Sequence, residues 1–314
     1  MEGQVPVAEV IRGGWVESVH AGHAVIVDPD GSVTRAWGRP EDPVMLRSAA
    51  KPLLGAGMLG AGLDLDGEHL AIAVSSHNGE PIHVRAVREI LAGGGLSEDD
   101  LANPPWLPFT TEAKIAWIRA GGGPSRITQN CSGKHAAMLR TAQALGAPTA
   151  GYLAVDHPVQ SVVIAAVERL SGESIAALAT DGCGVPVVAI SLVGLARAFS
   201  RMVVAPASVP EGRVACAMSA HPMYVGGTGR DTTAFMTAWP SAIAKDGSEG
   251  VHVFALPDGR AAALKVADGS ERARAAVAVG LMGHMGVPAE VIAVSGPEPV
   301  LGGGKPVGAI ECLI

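Results

Sequence analysis

Arg47-Ser48-Ala49-Ala50-Lys51 places a hydroxyl three positions before an amine. On a helix that spacing brings Ser48 and Lys51 onto one face. A serine hydroxyl is a weak nucleophile at neutral pH, and a desolvated lysine whose pKa has fallen can take its proton as attack begins. The bland alternative makes Ser48 a helix N-cap and Lys51 a solvated first-turn charge. Pro52 is harmless only in a first helical turn, where amide donors lack intrahelical partners, so a helix is expected to begin near Ser48.

Two polar, glycine-containing knots carry the other chemistry. Gln129-Asn130-Cys131-Ser132-Gly133-Lys134-His135 stands just before an expected helix, where free amides and the positive dipole end favour an anion or thiolate, so Cys131 is placed to ionise. Asp181-Gly182-Cys183-Gly184-Val185-Pro186 is the second knot. If they meet, zinc would take sulfur from Cys131 and Cys183 and nitrogen from Lys134 or His135. Histidine is the easier donor, because lysine must lose its proton first. The competing view is two buried, unrelated cysteines in tight turns.

Ser76, in Ser75-Ser76-His77-Asn78-Gly79-Glu80, offers a second hydroxyl relay, or caps a helix starting near Pro81. Lys245-Asp246-Gly247 supplies a candidate strand cation and Lys265 a competing one, although a strand lysine is commonly a solvated edge charge. The glycines between Val225 and Thr232 suggest a phosphate cradle, but the Walker lysine and G-x-G-x-x-G spacing are missing. Arg230 and Asp231 there are expected to pair with each other and fix the loop.

The elements that must position these groups fall into a simple order. His23–Asp28 and Ser32–Trp37 read as a hairpin around Pro29-Asp30-Gly31, and Val251–Leu256 with Arg260–Val266 repeat it around Pro257-Asp258-Gly259. Between them helices are expected over Ile82–Leu91, Ala136–Leu145, Pro158–Leu170 and Val187–Phe199, with Arg272–Met285 following and strand and turn from Val291 to Ile314. Strands at both ends with helices between them point to an α+β layered α/β/α sandwich. It would be a single catalytic unit over 1–314, its sheet drawn from about 1–45 and 245–314, with a helical region inserted.

Composition narrows the partners. The 314 residues are 48% hydrophobic, ample for a core. Net charge is −7, from 23 basic and 30 acidic residues without a cationic stripe, and aromatic content is 4%, so a nucleic-acid surface is not expected. The start lacks the basic and apolar segments of a signal peptide, and apolar stretches are too short to span a bilayer, so a cytoplasmic protein with no membrane partner is expected. Four scattered cysteines in a reducing compartment argue against a disulfide framework.

In order, Arg47-Ser48-Ala49-Ala50-Lys51-Pro52, Ser76-His77-Asn78-Gly79-Glu80-Pro81, Asn130-Cys131-Ser132-Gly133-Lys134-His135, Asp181-Gly182-Cys183-Gly184-Val185-Pro186, and His221-Pro222 with Gly229-Arg230-Asp231 resemble the rhizobial-type, class 3 L-asparaginases, nearly end to end. The resemblance implies a fold like that of serine β-lactamases and glutaminases, L-asparagine as substrate and a homodimer. It implies two Ser-Lys pairs, Ser48 with Lys51 and Ser76 with a distant lysine, for which Lys245 is the choice. It also implies Zn2+ held by Cys131, Lys134 and Cys183 in a positioning role, overruling the generic preference for His135. Arg47, His135 and Asp181 would then contact substrate or orient ligands. The alternatives are another serine amidase on the same scaffold, a glutaminase or β-lactam-recognising enzyme, and a non-catalytic zinc-binding sensor.

Overall fold

The computed structural model describes residues 2–314. Three strands open the chain, β1 (Val5–Arg12), β2 (Trp15–Val27) and β3 (Val33–Trp37), and a short β4 (Val44–Met45) follows. Midway come β5 (Ala177–Thr180) and β6 (Pro186–Ile190), and near the end β7 (Ile243–Gly247), β8 (Val251–Ala255), β9 (Ala261–Val266), β10 (Val300–Gly302) and β11 (Lys305–Cys312). The main sheet is antiparallel, in the order β10-β11-β1-β2-β9-β8-β7. Its central strand β2 is long enough to pair β1 through its first half and both β3 and β9 through its second. Both ends of the chain therefore build one sheet, with β7 at its edge.

The first half of the chain carries helices α1 (Lys51–Gly60), α2 (Gly67–Ala73), α3 (Pro81–Ala92), α4 (Thr111–Arg119), α5 (Ser132–Ala144) and α6 (Pro158–Ser171). Then come α7 (Leu192–Val204), α8 (Pro210–Ala220), the single turn α9 (Pro222–Val225), α10 (Asp231–Ala238), α11 (Glu271–His284) and α12 (Ala289–Ser295). Every residue of β7 and of β8 is buried, so alternate side chains on both faces of that end of the sheet are covered. Helices α7 and α11 both pack on β8 and β9. The result is a mixed, layered α/β/α fold with a helical insertion.

Two expectations are corrected. Val187–Phe199 is not one helix: Val187, Val188 and Ile190 are β-branched and form β6 between β4 and β5, a second, three-stranded sheet. The helix starts only at Leu192, where Ser191 Oγ accepts the Gly194 N–H at 2.9 Å. The final segment begins as helix α12 rather than strand, and only after it do β10 and β11 form a hairpin. No helix among the described residues is long and apolar enough to cross a membrane.

Candidate active site

Ser48 lies in a 3-10 turn, Arg47–Ala50, that runs straight into α1, with Pro52 in the first turn as its chemistry requires. Arg47 enters the turn at φ +51°, a left-handed value that costs a non-glycine residue energy and marks a constrained position. The turn packs on β7 and β8. Gly247 makes that approach possible, since a Cβ there would stand 2.8 Å from Leu46 O and 3.1 Å from Ala49 N. Ser48 thus rests against the edge strand that carries Lys245.

Ser48 and Lys51 are both buried. The Lys51 ammonium donates to Ser75 O at 2.5 Å, Ser76 Oγ at 3.1 Å and Cys131 Sγ at 3.2 Å, which uses all three of its protons. The hydroxyl it touches is therefore that of Ser76, and Ser48 Oγ is not among its partners. Ser48 also caps no helix with its side chain, so the N-cap alternative is not what the turn does.

Lys245 is fully buried on β7, its Nζ donating to Asp246 O at 2.7 Å and Asp246 Oδ1 at 2.8 Å. Burial pulls it down to about 8, against the support of Asp246 and with the charge of Lys51 adding to the fall. Lys51 and Lys245 therefore share one low-dielectric region. Asp246 also binds Arg230 at 2.5 Å; burial would raise its carboxyl, but Lys245, Arg230 and Arg274 hold it well below the usual range. Asp231 pairs with Arg274 at 2.8 Å, so Arg230 and Asp231 do not pair with each other as their adjacency suggested. Lys265 lies elsewhere, donating to Glu249 O at 2.5 Å and Val266 O at 2.7 Å.

The two knots meet. Cys131 stands at the N-cap position of α5, where its Sγ accepts from Lys51 Nζ at 3.2 Å, while Lys134 Nζ donates to Cys183 Sγ at 3.1 Å. The hydrogen bond from Cys183 draws Cys131 well below the usual thiol value despite its burial, with Lys51 and Lys134 adding to the pull. Cys183, on the donating side and buried, is pushed up. Burial works to lower Lys134, but Cys183, Cys131 and Asp181 overcome it and its pKa is raised. Asp181 in turn accepts Arg47 Nε at 2.7 Å. Burial would raise Asp181, but Lys134 and Arg47 hold it below the usual carboxylate range. Lys51, Lys134, Asp181 and Arg47 border a small cavity of about 20 Å3, room for about one water.

Two buried sulfurs and an amine, with Lys134 Nζ on Cys183 Sγ at 3.1 Å, are a donor set that suits a soft tetrahedral cation, which would replace protons on Cys131, Lys134 and Cys183. His135 does not join them. Among the described residues no histidine or carboxylate stands with both sulfurs inside 4.8 Å; the trio that does gather that closely is Glu68, His69 and Glu89, none of it buried. His135 Nδ1 instead meets Tyr152 OH at 2.7 Å, and its Nε2 is buried without a protein partner. Burial pushes the Tyr152 phenol up to about 12, so it keeps its proton.

Sequence reasoning missed several supports. Gln129 Oε1 accepts the Cys131 N–H at 2.8 Å and orders the knot. His77 Nδ1 accepts the Gly79 N–H at 3.1 Å, so its proton sits on Nε2 and is donated to Ser132 Oγ at 2.9 Å. Tyr152 lies outside every motif, and Asp246 and Arg230 lie in two separate ones that give no sign of their pairing. Only the fold brings them in, and no spacing signal could have found them.

The sequence family described as L-asparaginase II matches residues 8–312. No curated protein matches the chain. Among solved structures, a β-lactamase from Mycobacterium bovis is 16% identical, with 87% of this chain and 97% of that one covered and a TM-score of 0.47. The Bacillus subtilis glutaminase in covalent complex with 5-oxo-L-norleucine is 12% identical, covering 92% and 93% with a TM-score of 0.41. The protein Mglu in its glutamate form is 13% identical with a TM-score of 0.46, over 85% of this chain and 61% of that one.

Proposed function

The chain belongs to the L-asparaginase II family of amide hydrolases, and from that premise we propose that it converts L-asparagine to L-aspartate and ammonia through a serine nucleophile. The observation that supports this best is the buried Lys51 amine, at the start of α1 directly after the turn that carries Ser48, 3.1 Å from Ser76 Oγ and sharing its surroundings with buried Lys245. A buried amine hydrogen-bonded to an alcohol is placed to exchange protons with it.

In the proposed reaction Ser48 Oγ attacks the side-chain carbonyl carbon as Lys51, in its neutral form, takes the hydroxyl proton. Backbone amides beside the turn hold the oxyanion. The C–N bond then breaks while Lys51 returns its proton to the departing nitrogen, and ammonia leaves. Water next attacks the aspartyl ester, giving its proton to the same amine, and Ser48 is regenerated with L-aspartate. Ser76, hydrogen-bonded to Lys51, relays protons between that amine and Lys245.

Cys131, Lys134 and Cys183 are proposed to hold Zn2+ in a supporting role. When bound, the ion supplies a fixed positive charge that positions and polarises the amide. Asp181 and Arg47 then brace that side of the pocket through their 2.7 Å contact. Metal analysis checks this apart from turnover. About one zinc per chain is expected in the purified protein and a clear loss in Cys183→Ala, and equal metal content in both contradicts the ligand set.

A second reading makes Ser76 the nucleophile, favoured by its direct contact with Lys51. Substrate choice is tested by ammonia release from L-asparagine and L-glutamine beside hydrolysis of a chromogenic β-lactam. The proposal expects L-asparagine to be turned over fastest. Preference for either other substrate contradicts it.

A further inference from the structure

Beside the small cavity lies an open one of about 470 Å3, and the two share Arg47 and Val187 as walls. The partition between them includes the Arg47–Asp181 ion pair. On its outer side the open cavity presents Glu249, from the turn between β7 and β8, and Lys265 of β9. Three non-glycine residues among those described have positive φ, and two of them, Arg47 at +51° and Glu249 at +65°, line this one cavity. Backbone strain of that kind collects at ligand clamps.

The charges there are incompletely spent. Lys265 uses two of its three protons on the carbonyls of Glu249 and Val266, which leaves one N–H. The Glu249 carboxylate is largely exposed, and its nearest cation, Arg47, stands at 3.9 Å and is already engaged by Asp181. Because Lys265 is bonded to the backbone of Glu249 itself, one available cation and one available anion are kept side by side. An α-amino acid carries the complementary pair on a single carbon.

We propose that this outer cavity recognises the amino-acid end of the substrate, Glu249 binding the α-ammonium and Lys265 the α-carboxylate, so that the side-chain amide is presented past Arg47 toward Ser48. The inference rests on the asparaginase reading for the identity of the ligand. It adds two binding residues and a reason for the enzyme to discriminate free amino acids from simple amides.

The test is calorimetric binding of L-asparagine and of succinamate, the same molecule without its α-amino group, on a Ser48→Ala background that prevents turnover. Glu249→Gln is expected to weaken L-asparagine about 10-fold or more while changing succinamate less than about two-fold, because a charge-assisted hydrogen bond to the ammonium is lost. Lys265→Met is expected to weaken both ligands. Equal effects of Glu249→Gln on the two ligands, no effect on either, or no binding of L-asparagine at all overturns the assignment. Ammonia release by the wild-type protein separates the two failures. Absence of release contradicts the asparaginase reading whatever the binding pattern, whereas release with unaltered binding in Glu249→Gln contradicts the outer cavity alone.

Discussion

The amines Lys51 and Lys245 are the residues on which the chemistry turns, and their surroundings differ in a way that predicts behaviour. Lys51 has three protein acceptors, whereas Lys245 has only Asp246 and stands at about 8. If Lys245 takes part in proton relay as a neutral amine, turnover rises with pH through a limb near 8. Asp246 favours the charged form, so Asp246→Asn lowers the Lys245 pKa and moves the limb to lower pH. A pH–rate profile that stays in place, or moves upward, contradicts this role. Ser48, Lys51, Cys131 and Cys183 could be singled out from spacing and side-chain chemistry alone, and the resemblance placed Lys134 over His135. In the structure Lys134 donates to Cys183 Sγ, whereas His135 is turned to Tyr152. What spacing could not supply was the partner of each group: Lys51 contacts Ser76 rather than Ser48, and Arg230 contacts Asp246 rather than its neighbour Asp231. Such pairings are set by long-range packing.

At the scale of elements, the site depends on how closely two helices approach. A Cβ on Gly133 of α5 would stand 2.3 Å from Ile72 O of α2, a contact with backbone that cannot swing aside. That closeness sets Cys131 beside the Ser75–Ser76 segment following α2, so that Lys51 Nζ reaches both. Gly133→Ala, although it replaces a poor helix former, is therefore expected to destabilise the protein by about 1–3 kcal/mol through overpacking. Denaturant unfolding of the variant beside the wild type measures it, and equal or greater stability contradicts the account. Helix boundaries were readable where proline and glycine punctuate, as at Pro158 and Gly172 around α6, the latter at φ +77°. They were unreadable where apolar residues run on, as from Val187 through Phe199. There strand and helix share one composition, and only the pairing of β6 with β4 and β5 decides between them.

Across the whole molecule the two ends of the chain share one antiparallel sheet, to which β1, β10 and β11 are joined through diglycine turns, Gly13-Gly14 and Gly303-Gly304, all four glycines at positive φ. The interior also holds uncharged histidines. Burial lowers His77 and His83, and takes His252 to about 4. Between pH 6.5 and about 4 the unfolded chain binds protons at His252 that the folded chain does not, so stability falls as pH drops through that window. The carboxylates of Asp231 and Asp246, depressed in the fold, add their loss only below about 3.8, the ordinary aspartate value. Denaturant midpoints at pH 7 and pH 5 should show the decline, and an unchanged midpoint contradicts it. The central claim, that an alcohol on the Arg47–Ala50 turn does the chemistry with buried amines, is tested most directly by ammonia release from L-asparagine by wild type, Ser48→Ala and Ser76→Ala measured together. The account predicts release by the wild type, a loss of about 10³-fold or more in Ser48→Ala, and a smaller loss in Ser76→Ala. Near-normal release by Ser48→Ala, with Ser76→Ala inactive, would contradict it and make Ser76 the nucleophile.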